Sequence, residues 1–422
     1  MERKASRYLR QWLGVPRSFS SVNLYSKSSP GALAVGSIVE EYKVSQVRSV
    51  LLLQNSRDPI ACTTTDKGTR RRKWSPNRAI AEAESNLKFK EIIGVVAKGR
   101  QGLGNYSPVV SSSNDTSERR KLIVADVHAT EEQGRHVRAV GMAMQGRWTK
   151  WDDLEPRKTA MKDLLYQPFL SLSFFLQAMS DTLPSNTNLV RWKKLNDPTC
   201  SVCLAKPASL CHVLSTCKTS LTQGRYTWRH DKVLSVLVGE ITNFINSGRV
   251  RVARQTISFV KEGSRPLRSN TLATTLRAGI VSGANDWVIK ADINGRLVFP
   301  QEVVVTNLRP DILIPSNSIK TIVLVELTVP WEEKVSERHE FKKSKYDHLA
   351  VEAGLKGWSV VNLPVEVGCR GFACKSLSHM WRKLGMSGSS LRKANSKTAR
   401  EAERCYRWLW LRRNNSDWLS FS

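Results

Sequence analysis

Long apolar runs are missing from this chain. No stretch of about 18 consecutive apolar residues occurs, so no membrane-spanning helix is expected. The basic start Met1-Glu2-Arg3-Lys4-Ala5-Ser6-Arg7 has no apolar segment behind it, which argues against a secretory signal. Acidic side chains are scarce. There are 37 Asp and Glu against 66 Lys and Arg, a net charge of +29. Such a chain repels itself unless it meets a polyanion, and nucleic acid is the commonest one. An anionic membrane surface is the rival. The cysteines are too unevenly placed for a disulfide scaffold: of eight, four fall between Cys200 and Cys217. That clustering favours metal binding in a reducing compartment. Gly99-Arg-Gln-Gly-Leu-Gly104 lacks both the preceding strand and the following Lys-Ser/Thr of a phosphate-binding loop.

What is present suffices for several domains. The chain has 422 residues and is 41% hydrophobic, enough to build sizeable cores. Its organising stretch runs from Arg309 to Tyr346. Asp311-Ile-Leu-Ile-Pro315 and Thr321-Ile-Val-Leu-Val-Glu326 have the composition of two strands joined by a polar turn at Ser316-Asn317-Ser318. In such a hairpin, carboxylates at the start of one strand and near the end of the next can face each other. Paired carboxylates suit Mg²⁺, which prefers oxygen ligands. A nearby lysine can orient a water or stabilise charge on a phosphate, which completes the parts of metal-assisted phosphodiester hydrolysis.

The second constellation is Cys200-x2-Cys203-x8-His212-x4-Cys217. Two cysteines in a tight turn, plus a His and a Cys from a helix start, supply four ligands for a closed, structural Zn²⁺ site. A short loop-rich segment has little core, so the metal would provide much of its folding energy. Cys211 is a competing ligand. In the next segment, Arg225, Arg229, His230 and Lys232 interleave with Tyr226 and Trp228. This pattern suits phosphate contact with base stacking, and His230 is expected at the surface or as a cap. Arg70-Arg-Arg-Lys-Trp74, with Arg71 and Arg72, is a further phosphate-binding run and a candidate import signal.

Around these lie helical patterns. Helices are expected at the N-terminus up to Trp12, over 37–54, over 78–97 and over about 117–144. Residues 107–117 are polar and linker-like. The aromatics Trp148, Trp151, Tyr166, Phe169, Phe174 and Phe175 are expected to pack helices rather than stack on bases. Leu297-Val-Phe-Pro and Val303-Val-Val-Thr supply a further strand, and one helix is expected from Glu332 to about Gly354. Trp358–Gly368 is a strand, and basic helices follow over 375–386 and 390–413.

Pro310-Asp311 followed by Glu326 resembles the PD-(D/E)xK nuclease core. More narrowly, Arg309-Pro-Asp…Glu326-Leu-Thr-Val-Pro-Trp-Glu…Lys342-x-x-Lys345-Tyr346 resembles the restriction-enzyme-like endonuclease of site-specific non-LTR retrotransposons. Two further segments resemble the same proteins: Lys4-x-x-x-Tyr-Leu-Arg10-x-Trp-Leu-Gly-Val-Pro-Arg17, like the reverse transcriptase thumb, and Thr222–Leu234, like the region after the CCHC knuckle. Glu366-Val-Gly-Cys-Arg-Gly-Phe372 also matches.

The resemblance implies an α+β, multi-domain chain. It has a helical N-terminal half, a small zinc knuckle and an α/β restriction-endonuclease-like C-terminal domain. Its segments would be a thumb-like region (1–106), a linker (107–118), a helical linker domain (119–195), the knuckle with its basic segment (196–234), the endonuclease (235–386) and a basic C-terminal helix (387–422). Asp311 and Glu326 would hold Mg²⁺. The general pattern places its lysine two residues after the Glu, where this chain has Thr328, so the amine would be Lys342 or Lys345. Arg309 could hold a phosphate. In the family, cleavage of the target strand leaves a 3′ hydroxyl that primes reverse transcription. No Tyr/Phe-x-Asp-Asp segment is present, and Val124-Ala-Asp-Val127 lacks the second Asp, so polymerase activity is not expected. The chain is expected to be the C-terminal part of such a polyprotein, nuclear, binding DNA and RNA and no membrane. The alternative is a nucleic-acid-binding remnant without catalysis.

Overall fold

The computed structural model describes residues 1–33, 35–63, 74–99, 116–157, 159, 165, 169–247, 279–293, 297–415 and 418. Arg71, Arg72 and the rest of the 70–73 run lie outside the described residues. So do Tyr166, most of the 107–117 segment, 100–104 and the basic stretch 249–268. The chain forms two compact units: Met1–Thr149 with Lys158–Ser173, and Lys150–Arg157 with Phe174–Ser422.

The first unit is helical. Helix α1 (Glu2–Trp12) ends where Gly14 takes φ 62 ahead of Pro16, a conformation that costs glycine nothing. In α2 (Ile38–Gln54), the Ser37 side chain accepts the Glu40 N–H at 3.2 Å and caps the helix. Helices α3 (Pro76–Gly99) and α4 (Thr116–Val140) follow. Val44, Val47 and Leu51 of α2 recur at helical spacing and bury against Ile80, Ala83, Ile123 and Val127.

The second unit is built on a five-stranded sheet in sequential order: β1 (Lys290–Ala291), β2 (Ile312–Ser316), β3 (Thr321–Thr328), β4 (Ser359–Gly368) and β5 (Phe372–Ala373). Strands β2 and β3 form the expected antiparallel hairpin, pairing Ile312 with Val325 and Ser316 with Thr321. Strand β4 runs parallel to β3, which requires a crossover. The crossover is a 3-10 turn (Glu332–Lys334), α5 (Val335–Ser344) and α6 (Asp347–Leu355). A strand covered on both faces reads as a continuous apolar run, and β3 does. Its residues split by alternation: Val323 and Val325 enter one core, Ile322 and Leu324 the other. The structure is therefore of mixed α+β type, and no described helix is long and apolar enough to cross a membrane.

Two local expectations are corrected. The single helix over 332–354 is broken at Lys345–Tyr346, because the Tyr346 ring drops into the core, 1% exposed. Residues 297–306 form no strand. Val303 and Val304 both donate to the Pro300 carbonyl, at 3.1 and 3.2 Å, which turns the chain. Leu297, Phe299, Val303 and Val304 plug the core beside Leu349 instead.

The segments expected as separate knuckle, endonuclease and C-terminal helix share one unit. Helix α7 (Arg225–Asn246) packs along α9 (Gly388–Leu411), and α8 (Lys375–Leu384) packs on β4. Trp151, Phe174 and Phe175 are buried in this unit, with Phe175 5.5 Å from Phe372 and Phe174 4.8 Å from Tyr406. Beside them Arg370, fully buried, donates from Nε to Glu332 at 2.6 Å and stacks 3.8 Å over the Trp331 ring. Deleting one partner of a buried ion pair strands the other charge. Arg370→Ala should therefore cost about 3–5 kcal/mol in urea unfolding. A loss below about 1 kcal/mol would show that the pair is not buried in solution.

Candidate functional site

Opposed residues of an antiparallel pair project to the same face. The β2–β3 register does this for Asp311 and Glu326. The Asp311 N–H donates to Glu326 Oε2 at 3.2 Å, and the Leu327 N–H donates to Asp311 Oδ2 at 2.7 Å, locking the two acids together. Glu326 is buried, and Asp311 is half-buried.

The helix break at Lys345–Tyr346 supplies the cations. Lys342 comes from the last turn of α5 and Lys345 from the break itself. Both Nζ atoms lie 2.6 Å from Glu326 Oε1, so the lysine alternatives converge on one oxygen. The Tyr346 hydroxyl donates to Oε2 at 2.9 Å and also reaches the Arg309 carbonyl at 3.3 Å. Burial raises the Glu326 pKa, but hydrogen bonds and charge from Lys342 and then Lys345 more than offset it and hold it below the ordinary range. Burial, then the Glu326 charge, pushes the Tyr346 phenol up, keeping it a neutral donor.

His230, expected at the surface or as a cap, is half-buried and faces Asp311. Its Nε2 is 3.4 Å from Asp311 Oδ2 and 3.3 Å from the Leu327 carbonyl, and its Nδ1 is 3.1 Å from Asp231. Burial lowers its pKa, but Asp311 and then Asp231 outweigh that and push it up to about 9. The missed signal is the phase of α7. Arg225, Arg229, Val233, Leu237 and Ile241 are four apart and all buried, so this face turns inward. That also corrects the expectation that Arg225 and Arg229 grip phosphates. Arg229 donates to the carbonyls of Leu214 at 2.8 Å and Val329 at 3.0 Å. Arg225 donates to the carbonyls of Arg412 and Asn415. Both are occupied inside the protein. Lys232 and Arg309 are exposed.

Cys200, Cys203, His212 and Cys217 come together as predicted, with their ligand atoms all within 4.8 Å of one another. Cys203 Sγ lies 3.2 Å from His212 Nε2, and Cys211 is not part of the group. Leu204 takes φ 59 in the turn that carries the first two thiols, and its N–H bonds the Cys200 carbonyl at 3.0 Å. Burial lowers the His212 pKa and so favours the neutral, ligating imidazole. Three thiols and one imidazole could hold a metal ion. The carboxylate oxygens of Asp311 and Glu326 are the kind of hard donor that divalent cations such as Mg²⁺ prefer, and those of Glu326 are met here by the two lysines and Tyr346.

No protein-family model matches this chain, and no match was found among curated proteins.

Two outcomes follow from this geometry. The Glu326 pKa is depressed in the folded state. Its stabilisation is therefore complete above the ordinary value of 4.5 and is lost as pH falls through the folded value. Unfolding midpoints measured down an acid series should fall below about pH 4.5 for the wild type, and Glu326→Gln should flatten that decline. An identical acid limb in the variant would contradict the pairing of buried Glu326 with the two half-buried lysines. Zinc-loaded protein should carry roughly one zinc per chain, and Cys217→Ser should lose it together with several degrees of thermal midpoint. Retained stoichiometry in the variant would remove Cys217 from the ligand set.

Proposed function

We propose that this protein binds nucleic acid and carries a Mg²⁺-dependent DNA endonuclease site. The site would be of the restriction-enzyme-like kind found in site-specific non-LTR retrotransposons, without polymerase activity. The observation that carries it is the meeting of Asp311, Glu326, Lys342 and Lys345 at one point of the sheet. The net charge of +29 supports a polyanionic partner, DNA or RNA, and with it a nuclear location. The Cys₃His group would hold a structural Zn²⁺, since four protein ligands leave no position for water.

Asp311 and Glu326 would hold Mg²⁺, which when bound polarises the phosphodiester and lowers the pKa of a bound water. Lys342 and Lys345 lie on the same oxygen, so one can stay with Glu326 while the other turns to the attacking water or the scissile phosphate. Tyr346 fixes the second Glu326 oxygen throughout. His230 sets the orientation of Asp311 and faces the Leu327 carbonyl.

A second reading has its own support. Both lysines are spent on Glu326, and His230 already neutralises Asp311. A site so compensated by its own cations is also what a nucleic-acid-binding remnant without catalysis would show. Nicking of supercoiled plasmid in Mg²⁺ separates the two. The endonuclease reading predicts relaxed circles with wild type and at least a hundredfold loss with Asp311→Ala, the usual scale for removing a metal-holding group. Plasmid that both proteins shift in a gel but neither nicks would establish the binding reading.

A further inference from the structure

Next to the paired acids, on the other side of α5, is a cleft of about 590 Å³ between α5, β4 and the start of α8. Its floor is built rather than incidental. Glu366 of β4 is fully buried and accepts from His339 Nδ1 at 3.0 Å. Its other oxygen, Oε1, is buried without a hydrogen-bond partner. A buried carboxylate held by a single contact is costly unless its partner is charged. Glu366 accordingly raises the His339 pKa, against the burial that lowers it. With Nδ1 committed to Glu366, the other ring nitrogen of this half-exposed histidine is turned away from the floor. Lys343, Lys375, His379 and Arg382 also line the cleft, all exposed. The acids there have partners: Asp153 accepts from Ser336 at 2.5 Å, and Glu340 is 3.9 Å from Lys343.

A carboxylate-oriented imidazole with one donor free, ringed by lysine and arginine, is the donor set for a phosphate oxygen. Helix α5 joins this cleft to the paired acids. Lys342 turns to Glu326 and Lys343 to the cleft. Asn362, in the cleft wall, holds the carbonyls of both at 3.3 and 3.0 Å. We propose that the cleft is a phosphate-binding subsite for a nucleic-acid strand, with His339 as central donor, Glu366 as its positioning residue, and Lys375 and Arg382 on the rim. It rests on the nucleic-acid-binding part of the function proposed above, not on cleavage. It would hold the strand one or more phosphates away from the paired acids, and so set which bond reaches them.

The test is binding of a labelled DNA duplex to the zinc-loaded full chain, without Mg²⁺, over a series of salt concentrations. Lys375→Gln/Arg382→Gln is compared with Lys194→Gln/Lys356→Gln, which removes the same charge from exposed positions outside the cleft. Each phosphate that the protein no longer neutralises lowers the slope of log K against log salt by about 0.9, so the slope should fall by close to 1.8 in the cleft variant and almost nothing in the control. His339→Gln should weaken binding by about tenfold, the scale of one charge-assisted hydrogen bond, with zinc content unchanged, measured well below the thermal midpoint that stranding buried Glu366 lowers. Equal slopes in the two double variants, or a His339→Gln affinity equal to wild type, would overturn the proposal. Failure of the nuclease reading looks different: intact plasmid in Mg²⁺ together with the slope change would leave this subsite standing.

Discussion

The second unit depends on a guanidinium laid between two chain segments. Arg229 donates to the Leu214 carbonyl, beside the Cys₃His group, and to the Val329 carbonyl, just past the end of β3. It is 4% exposed, so both bonds form out of water, where an unmet donor is expensive. Its neighbours extend the strap. The Tyr226 hydroxyl takes the Cys217 N–H at 3.1 Å and reaches the Val213 carbonyl at 3.0 Å. His230, one residue on, touches Asp311. One stretch of α7 thus ties the thiol group to the strand that carries Glu326. A metal ion held by the Cys₃His group would therefore be coupled, through α7, to the strand that carries Glu326, and its removal should loosen both.

The sheet supplies the complementary constraint. Antiparallel pairing of β2 with β3 brings two acids face to face, which is expensive for like charges unless cations answer them. The break between α5 and α6 provides that answer by dropping Tyr346 inward and turning Lys345 back toward Lys342. At the break Tyr346 enters the core, 1% exposed, and its phenol donates to Glu326 Oε2 at 2.9 Å. The break is therefore part of how the site is made.

Much of this was legible in the residues. The hairpin followed from two β-branched runs flanking a polar turn, and the thiol group followed from spacing. The meeting of Asp311 and Glu326 followed from strand ends and register. What escaped had physical reasons. Helix α7 looks basic when its residues are counted, and only its four-residue buried phase shows that Arg225 and Arg229 turn inward. Residues 303–306 are all β-branched, yet the turn at Pro300 directs Val303 and Val304 into a plug. The helix break at Lys345 carries no glycine or proline, and burial of one tyrosine decides it. The Glu366–His339 pair joins residues 27 apart that no local pattern connects.

The account's central claim is that Asp311 and Glu326 share a hard divalent cation beside the two lysines. The most direct measurement is anomalous scattering from crystals soaked in Mn²⁺. The account predicts a peak within ligand distance of both carboxylates, with at least one lysine moved off Glu326 Oε1. Crystals that bind Mn²⁺ elsewhere, leaving both lysines on Glu326 and no peak between the acids, would contradict it.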